Sequence, residues 1–203
     1  MLANWLTLSR VPLLVVVLFL LSWPNATARF VAVPAIIVLI LLDSLDGMVA
    51  RARGEASLLG SVLDIAIDRM VEYVLWVIYA YLGLIPVAVP LLVLMRGTSV
   101  DAVRSVAPSR GTTPFGMMQT PLGRFLVGSP FMRSSFGIAK VAAFVLLALA
   151  HALATATHPW AGTVLAVANV VSWIAVVLCL TRGIPVLVEA PRFLAEPESD
   201  SEA

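Results

Sequence analysis

Long apolar runs, uninterrupted by charge and without polar–apolar alternation, constrain this chain more than any other feature; residues 11–23 form the first of them. A helix that is apolar all round must be surrounded by lipid or by a large core. Of the 203 residues, 61% are hydrophobic and only 12% charged, whereas a soluble domain carries about a quarter of its residues as charges. Lipid is therefore the solvent for most of the surface. Strands of a membrane barrel would alternate in period two, so the expected fold is all-α and polytopic.

Each crossing needs roughly 20 residues. Six segments are predicted, at 5–23, 30–51, 58–82, 84–104, 137–157 and 160–181. Breakers separate several of them: Trp23-Pro24-Asn25, Arg53-Gly54-Glu55, Gly83 with Pro86, and His158-Pro159. Six alternating helices put both termini on one face. Twelve of the thirteen basic residues then fall on or near that face: Arg10, Arg51, Arg53, Arg69, Arg96, Arg104, Arg110, Arg124, Arg133, Lys140, Arg182 and Arg192; Arg29 falls opposite. By the positive-inside rule both termini are expected in the cytoplasm, beside the 52–57 and 105–136 connections.

A cleavable signal peptide is the competing reading of the amino terminus, from Arg10, the following apolar run and Ala26-Thr27-Ala28. Its removal would leave five spans and upset the charge distribution. Asn25-Ala26-Thr27 matches a glycosylation sequon, a pattern short enough to arise by coincidence. Cys179, the single cysteine, cannot form an intrachain disulfide and reads as a small buried hydrophobe. The expected membrane domain covers 1–188. An acidic, disordered tail is expected over 189–203, which holds five acidic residues and two prolines. No repeat, inverted half or second domain is visible.

The chemistry lies in two neighbouring stretches. Asp43, Asp46, Gly47 and Ala50 fall at i, i+3, i+4 and i+7, on one face of the second helix. Gly60, Asp64 and Asp68 repeat every four residues on the third. A short turn around Gly54 would fold these helices antiparallel, so that two carboxylates from each converge at the cytoplasmic end. An ionised group inside a spanning helix costs about 2.5–3.5 kcal/mol on insertion scales. Divalent cations compensate such a cost, and carboxylate oxygens suit Mg²⁺ or Mn²⁺. The absence of His and Cys nearby argues against zinc. Structural ion pairs with Arg51, Arg53 and Arg69 are the bland alternative. The intervening glycines favour a ligand, because they let one approach the helix backbone, and the Arg51 fork suits a diphosphate.

The pattern D-x2-D-G-x2-A-R-x8-G-x3-D-x3-D is met by Asp43, Asp46, Gly47, Ala50, Arg51, Gly60, Asp64 and Asp68, eight fixed positions over 26 residues. It resembles the signature of the CDP-alcohol phosphatidyltransferase family, whose six-helix layout agrees with the predicted spans. The resemblance implies that Asp43, Asp46, Asp64 and Asp68 hold one or two Mg²⁺ or Mn²⁺ ions, with Asp68 also the general base. It implies that Gly47, Ala50, Arg51 and Gly60 contact the CDP moiety of CDP-diacylglycerol or a similar CDP-lipid. The segment from Asn4 through Thr7 to Arg10 resembles the family's amino-terminal N-x2-T-x2-R, which also lies near the nucleotide. A homodimer in a bacterial inner membrane, with its site facing the cytoplasm, is the further implication. Membrane lipids are its surroundings, and no nucleic-acid partner is expected.

Glu72 continues the Asp64–Asp68 stripe by one turn, about 6 Å along the helix. It is expected either to tune Asp68 or to pair with a basic group. Between Asp101 and Glu189 there is no acidic residue, while Arg104, Arg110, Arg124, Arg133, Lys140 and Arg182 are present. Positive-inside topology and anionic lipid headgroups account for basic loops, but not for Arg96 and Arg104 two turns apart within one helix. The segment from Arg96 through Arg104 to Gly111 resembles the phosphatidylglycerophosphate synthase subgroup, although Gly97 replaces its usual Glu and its Gly-Lys-x-Lys-Thr run is missing. A phosphorylated acceptor such as glycerol 3-phosphate or inositol phosphate follows, its phosphate on Arg104, Arg133 and Lys140. Inositol or serine are the uncharged and zwitterionic alternatives. The connection over 105–136 has the length of a functional lid.

The rival class is a cation transporter, but such sites lie near mid-membrane between repeat halves. These carboxylates cluster toward one end of consecutive helices. A scaffold derived from an enzyme is the other rival, and the complete set of four aspartates argues against it.

Overall fold

The computed structural model describes residues 2–53, 58–105 and 120–195, without the side chains of 2–4, 44–53, 58–59, 61, 122 and 191–195. The described residues form seven helices: α1 (Leu2–Ser22), α2 (Ala26–Arg53), α3 (Leu58–Tyr81), α4 (Ala88–Ser105), α5 (Pro121–Gly128), α6 (Pro130–Thr155) and α7 (Ala161–Ala195). Among them, four segments are long and apolar enough to cross a membrane: Trp5–Ser22, Ala26–Asp43, Pro130–Thr155 and Ala161–Ala190. The α3 helix, of 24 residues, carries Asp64, Asp68 and Glu72, and α4, of 18, carries Arg96 and Arg104. The protein is thus an all-helical integral membrane protein.

Local chemistry sets the helix ends. The Asn25 side-chain oxygen accepts from the Thr27 and Ala28 amides at 2.8 and 3.3 Å, capping α2. The cap explains why α2 begins at Ala26 rather than 30. At the end of α3, the Gly83 amide donates to the Ala80 carbonyl and the Leu84 amide to that of Tyr79, both at 3.0 Å, with Gly83 at φ 73°. This paired closure needs a left-handed residue. The α6 helix ends the same way, with Thr157 donating to Ala154 and His158 to Leu153, but the left-handed residue is Thr157, at φ 53°.

The chain divides into two units, 1–90 with 140–172, and 91–139 with 173–203. In the first, α1 packs against α2 and α3. Leu14, Val17 and Leu21 of α1, and Ala32, Ile36 and Leu39 of α2, are buried stripes at helical spacing. Phe144 of α6 lies against Trp76 and Tyr79 of α3, with ring centroids 4.7 and 6.0 Å apart, and the Tyr79 hydroxyl donates to the Phe144 carbonyl at 2.7 Å. One turn earlier on both helices, Lys140 meets Glu72. Contacts that step in the same direction along both chains mean that α3 and α6 run parallel. At the other end of this unit, Arg29 bonds the Thr155 hydroxyl, and the His151 ring meets the Leu21 carbonyl at 3.2 Å. Cys179 is buried, as expected.

In the second unit Val100, Val127 and Val186 form a buried cluster against which Val103 packs. Two expectations are corrected here. The connection over 105–136 is not irregular throughout: α5 is capped by Thr120, whose hydroxyl accepts from the Gly123 amide at 3.0 Å, and α6 starts at Pro130. Residues 106–119 lie outside the described residues. The acidic tail does not start at 189, because α7 continues to Ala195 and Glu189 is buried. Its carboxylate accepts from the Thr120 hydroxyl and, at 3.4 Å, from the Thr120 amide, which compensates burial of the charge.

Gly83 has open space where a Cβ would stand, so its substitution tests backbone conformation alone. A left-handed Cβ costs about 1–2 kcal/mol. Gly83→Ala is expected to destabilise the protein by about 1 kcal/mol, and Thr157→Gly to stabilise it by a similar amount. Thermal unfolding in detergent should move in opposite directions, by about 2–4 °C each.

Candidate active site

The buried stripe of α1 runs Thr7, Arg10, Leu14, Val17, Leu21 in steps of three and four, so its last apolar turn gives way to a hydroxyl and a guanidinium on the same face. The α2 stripe of Ala32, Ile36 and Leu39 reaches Asp43 by one further step of four. On α3 the same step links Asp64, Asp68, Glu72 and Trp76. Three neighbouring helices thus end their apolar seams in ionisable groups, and tertiary packing brings these together.

Arg10 is the hub. Its side chain is only 1% exposed, its Nη1 donates to Asp43 Oδ1 at 2.6 Å, and its Nη2 lies 3.9 Å from Asp68 Oδ1. The Asp43 and Asp68 side chains remain 37% and 39% exposed. One guanidinium therefore joins carboxylates from α2 and α3 while leaving them open to a ligand. Asp64 is half-buried, with Oδ1 shielded from solvent. The backbone of Asp46, Gly47, Ala50 and Arg51 lies in α2, Asn4 in α1 and Gly60 in α3, while the side chains of Asn4, Asp46, Ala50 and Arg51 lie outside the described residues. Among the described residues, no three His, Cys, Asp or Glu side chains gather at metal-ligand spacing.

Glu72 resolves the choice left open above. It is 2% exposed, and its Oε2 accepts from Arg69 Nη1 at 3.1 Å and from Lys140 Nζ at 3.3 Å. It pairs with basic groups, one of which was itself an expected acceptor residue. The histidines take no part: His151 lies by Leu21 at the other end of the unit, and His158 caps the turn before α7 through the Trp160 amide.

Arg104 on α4 and Arg133 on α6 belong to the second unit, the former half-buried and the latter exposed. The structure adds two arginines to them. Arg96 and Arg182 are 7% and 8% exposed. Among the described residues no carboxylate pairs with Arg96, and its Nε lacks a hydrogen-bond partner. It fits only because residue 183 is glycine: a Cβ there would stand 2.5 Å from Arg96 Cγ and Nε. The Arg182 guanidinium carbon lies 5.8 Å from the centre of the Phe136 ring. The sequence already set Arg96 apart from the loop charges by its place within a helix, and burial without an acidic partner among the described residues bears on it further.

Membrane helices whose seams end in aspartates, spaced as quoted above, define a CDP-alcohol phosphatidyltransferase, and a family model of that description matches residues 1–181. The chain belongs to this family and is an enzyme of phospholipid synthesis. Among curated proteins it is 31% identical over 162 residues, 77% of each chain, to proteins from two strains of Mycobacterium tuberculosis described as "Probable phosphatidylglycerophosphate synthase". The general reaction is transfer from a CDP-linked substrate to an alcohol, with release of CMP.

Removing the shared cation tests this arrangement. A hydrogen bond to a charged group contributes about 1.5–3 kcal/mol. Arg10→Gln is therefore expected to lower kcat/KM for the CDP-lipid by about tenfold to a hundredfold, measured as CMP release, with Arg10→Lys less affected.

Proposed function

We propose that this enzyme transfers the phosphatidyl group of CDP-diacylglycerol to glycerol 3-phosphate, forming phosphatidylglycerophosphate and CMP. The observation that carries the anionic acceptor is Arg96, a buried cation without a carboxylate partner among the described residues. A buried charge is costly unless paired, and a phosphorylated acceptor supplies the missing anion. Arg104, Arg133 and Lys140 are the candidates that supply positive charge for its phosphate, and Arg96 joins them by its burial. The name of the mycobacterial relatives supports the same acceptor.

The donor set fits a divalent cation. Asp43 and Asp68 already share one positive group, and the carboxylates are hard oxygen ligands with no His or Cys among them. Asp43, Asp46, Asp64 and Asp68 would hold one or two Mg²⁺ or Mn²⁺ ions, which, when bound, neutralise diphosphate charge. Gly47, Ala50, Arg51 and Gly60, with Asn4 and Thr7, hold the CDP moiety. Asp68 takes the proton of the acceptor hydroxyl. The hydroxyl oxygen bonds to the lipid-side phosphorus, the bond from that phosphorus to the bridging oxygen breaks, and CMP leaves with the electron pair. Fixing both substrates on rigid helices supplies the alignment.

The α3 and α4 helices complete six crossings, and the parallel course of α3 and α6 supports a return crossing between them. Both termini and the site face the cytoplasm, in a bacterial inner membrane, and the enzyme works as a homodimer.

Purified protein in detergent, given CDP-diacylglycerol, Mg²⁺ or Mn²⁺ and separate acceptors, tests the reading. CMP release is expected with glycerol 3-phosphate and to fall by about 10²–10⁴ in Asp68→Asn, the range for a general base. Arg96→Gln is expected to raise KM for glycerol 3-phosphate. Equal turnover of unphosphorylated glycerol, inositol or serine would overturn the anionic acceptor.

A further inference from the structure

We infer that Glu72 is a positioning residue for the acceptor: it fixes the Lys140 ammonium one helical turn from Asp68. The inference rests on the phosphorylated-acceptor reading and adds to it the group that holds the acceptor's cation in place.

Glu72 and Asp68 lie on one stripe of α3, about 6 Å apart along the axis. Two cations, Arg69 and Lys140, donate to the single Glu72 oxygen Oε2. Arg69 comes from the same helix, three residues away; Lys140 comes from α6, 68 residues on. Lys140 thus meets the stripe one turn beyond Asp68, on the side away from Asp64. That order suits an acceptor whose hydroxyl meets Asp68 and whose phosphate lies toward Lys140.

A plain helix clip is the alternative role, and one observation and one general rule weigh against it. The next turn of the same two helices is already joined by Phe144 against Trp76 and Tyr79, with a buried hydrogen bond. Burying a carboxylate and an ammonium in place of an apolar pair is commonly neutral or costly to stability. A lysine side chain is also long and flexible. Glu72 accepts one of the three ammonium donors and restricts that side chain's reach. An ammonium held in advance loses less conformational freedom when an anion binds.

The test is steady-state kinetics on wild type, Glu72→Gln and Glu72→Asp, with glycerol 3-phosphate and CDP-diacylglycerol each varied and folding followed by size exclusion. Glu72→Gln should raise KM for glycerol 3-phosphate about tenfold, with kcat and KM for CDP-diacylglycerol within about twofold. Glu72→Asp, which keeps the charge and withdraws it by one methylene, should show a smaller rise in the same parameter. Lys140→Gln should match Glu72→Gln, and the double variant should be no worse than either, as for two members of one unit. Unchanged acceptor KM, or a parallel loss in all parameters, would overturn the positioning role while wild-type turnover of glycerol 3-phosphate keeps the acceptor reading intact. Wild-type turnover confined to unphosphorylated alcohols would instead remove the acceptor reading and this inference with it. If Glu72→Gln does not fold, Glu72→Asp carries the same comparison.

Discussion

A guanidinium almost wholly removed from solvent, held between carboxylates of two other helices, is the interaction on which the first unit's arrangement turns. Arg10 could not be buried alone: an unpaired charge in a lipid-surrounded bundle is among the most costly features a fold can carry. Asp43 at 2.6 Å and Asp68 at 3.9 Å supply the compensation. The demand is reciprocal, since aspartates on α2 and α3 need a cation as much as Arg10 needs anions. The apolar stripes of α1, α2 and α3 bring the helices together, and the charge requirement fixes which ends meet.

The same rule applies one turn further along α3. Glu72 is buried and therefore paired, and Lys140 reaches it from α6. The aromatic contacts of Phe144 then fall at the next turn of both helices. In the second unit Glu189 is buried against the capped start of α5, and Gly123 is there because a Cβ would stand 2.5 Å from the Glu189 carboxylate. Arg96 departs from the rule among the described residues. Its burial without an acid among the described residues suits an anionic substrate, since protein interiors tolerate such a charge chiefly where function requires it.

What the sequence made legible was local periodicity. Asp43 and Asp46 on one helix, and Asp64 and Asp68 on the next, are three or four residues apart, and helical geometry turns that spacing into a shared face. Arg10 was visible only as part of a motif near the nucleotide, because its contacts to Asp43 and Asp68 span 33 and 58 residues and depend on how three helices pack. Nothing local in the sequence indicates that Glu72 and Lys140 touch. The short α5 is hidden by composition, because the 105–136 stretch is rich in Gly, Pro, Ser and Thr, while Pro121 and Pro130 each occupy a first helical position, where proline is favoured. Glu189 misled for a similar reason, since an acidic residue before other acidic residues resembles a solvated tail until its hydrogen bonds to Thr120 are known.

The carboxylates on α2 and α3 are proposed to form one divalent-cation site. Binding of Mn²⁺ to the purified protein in detergent, without substrate and followed by electron paramagnetic resonance, tests it most directly. Saturable binding of about one or two ions per chain is expected, lost in Asp64→Asn although that variant keeps its helix content and thermal stability. Equal Mn²⁺ binding by wild type and a folded Asp64→Asn would contradict it.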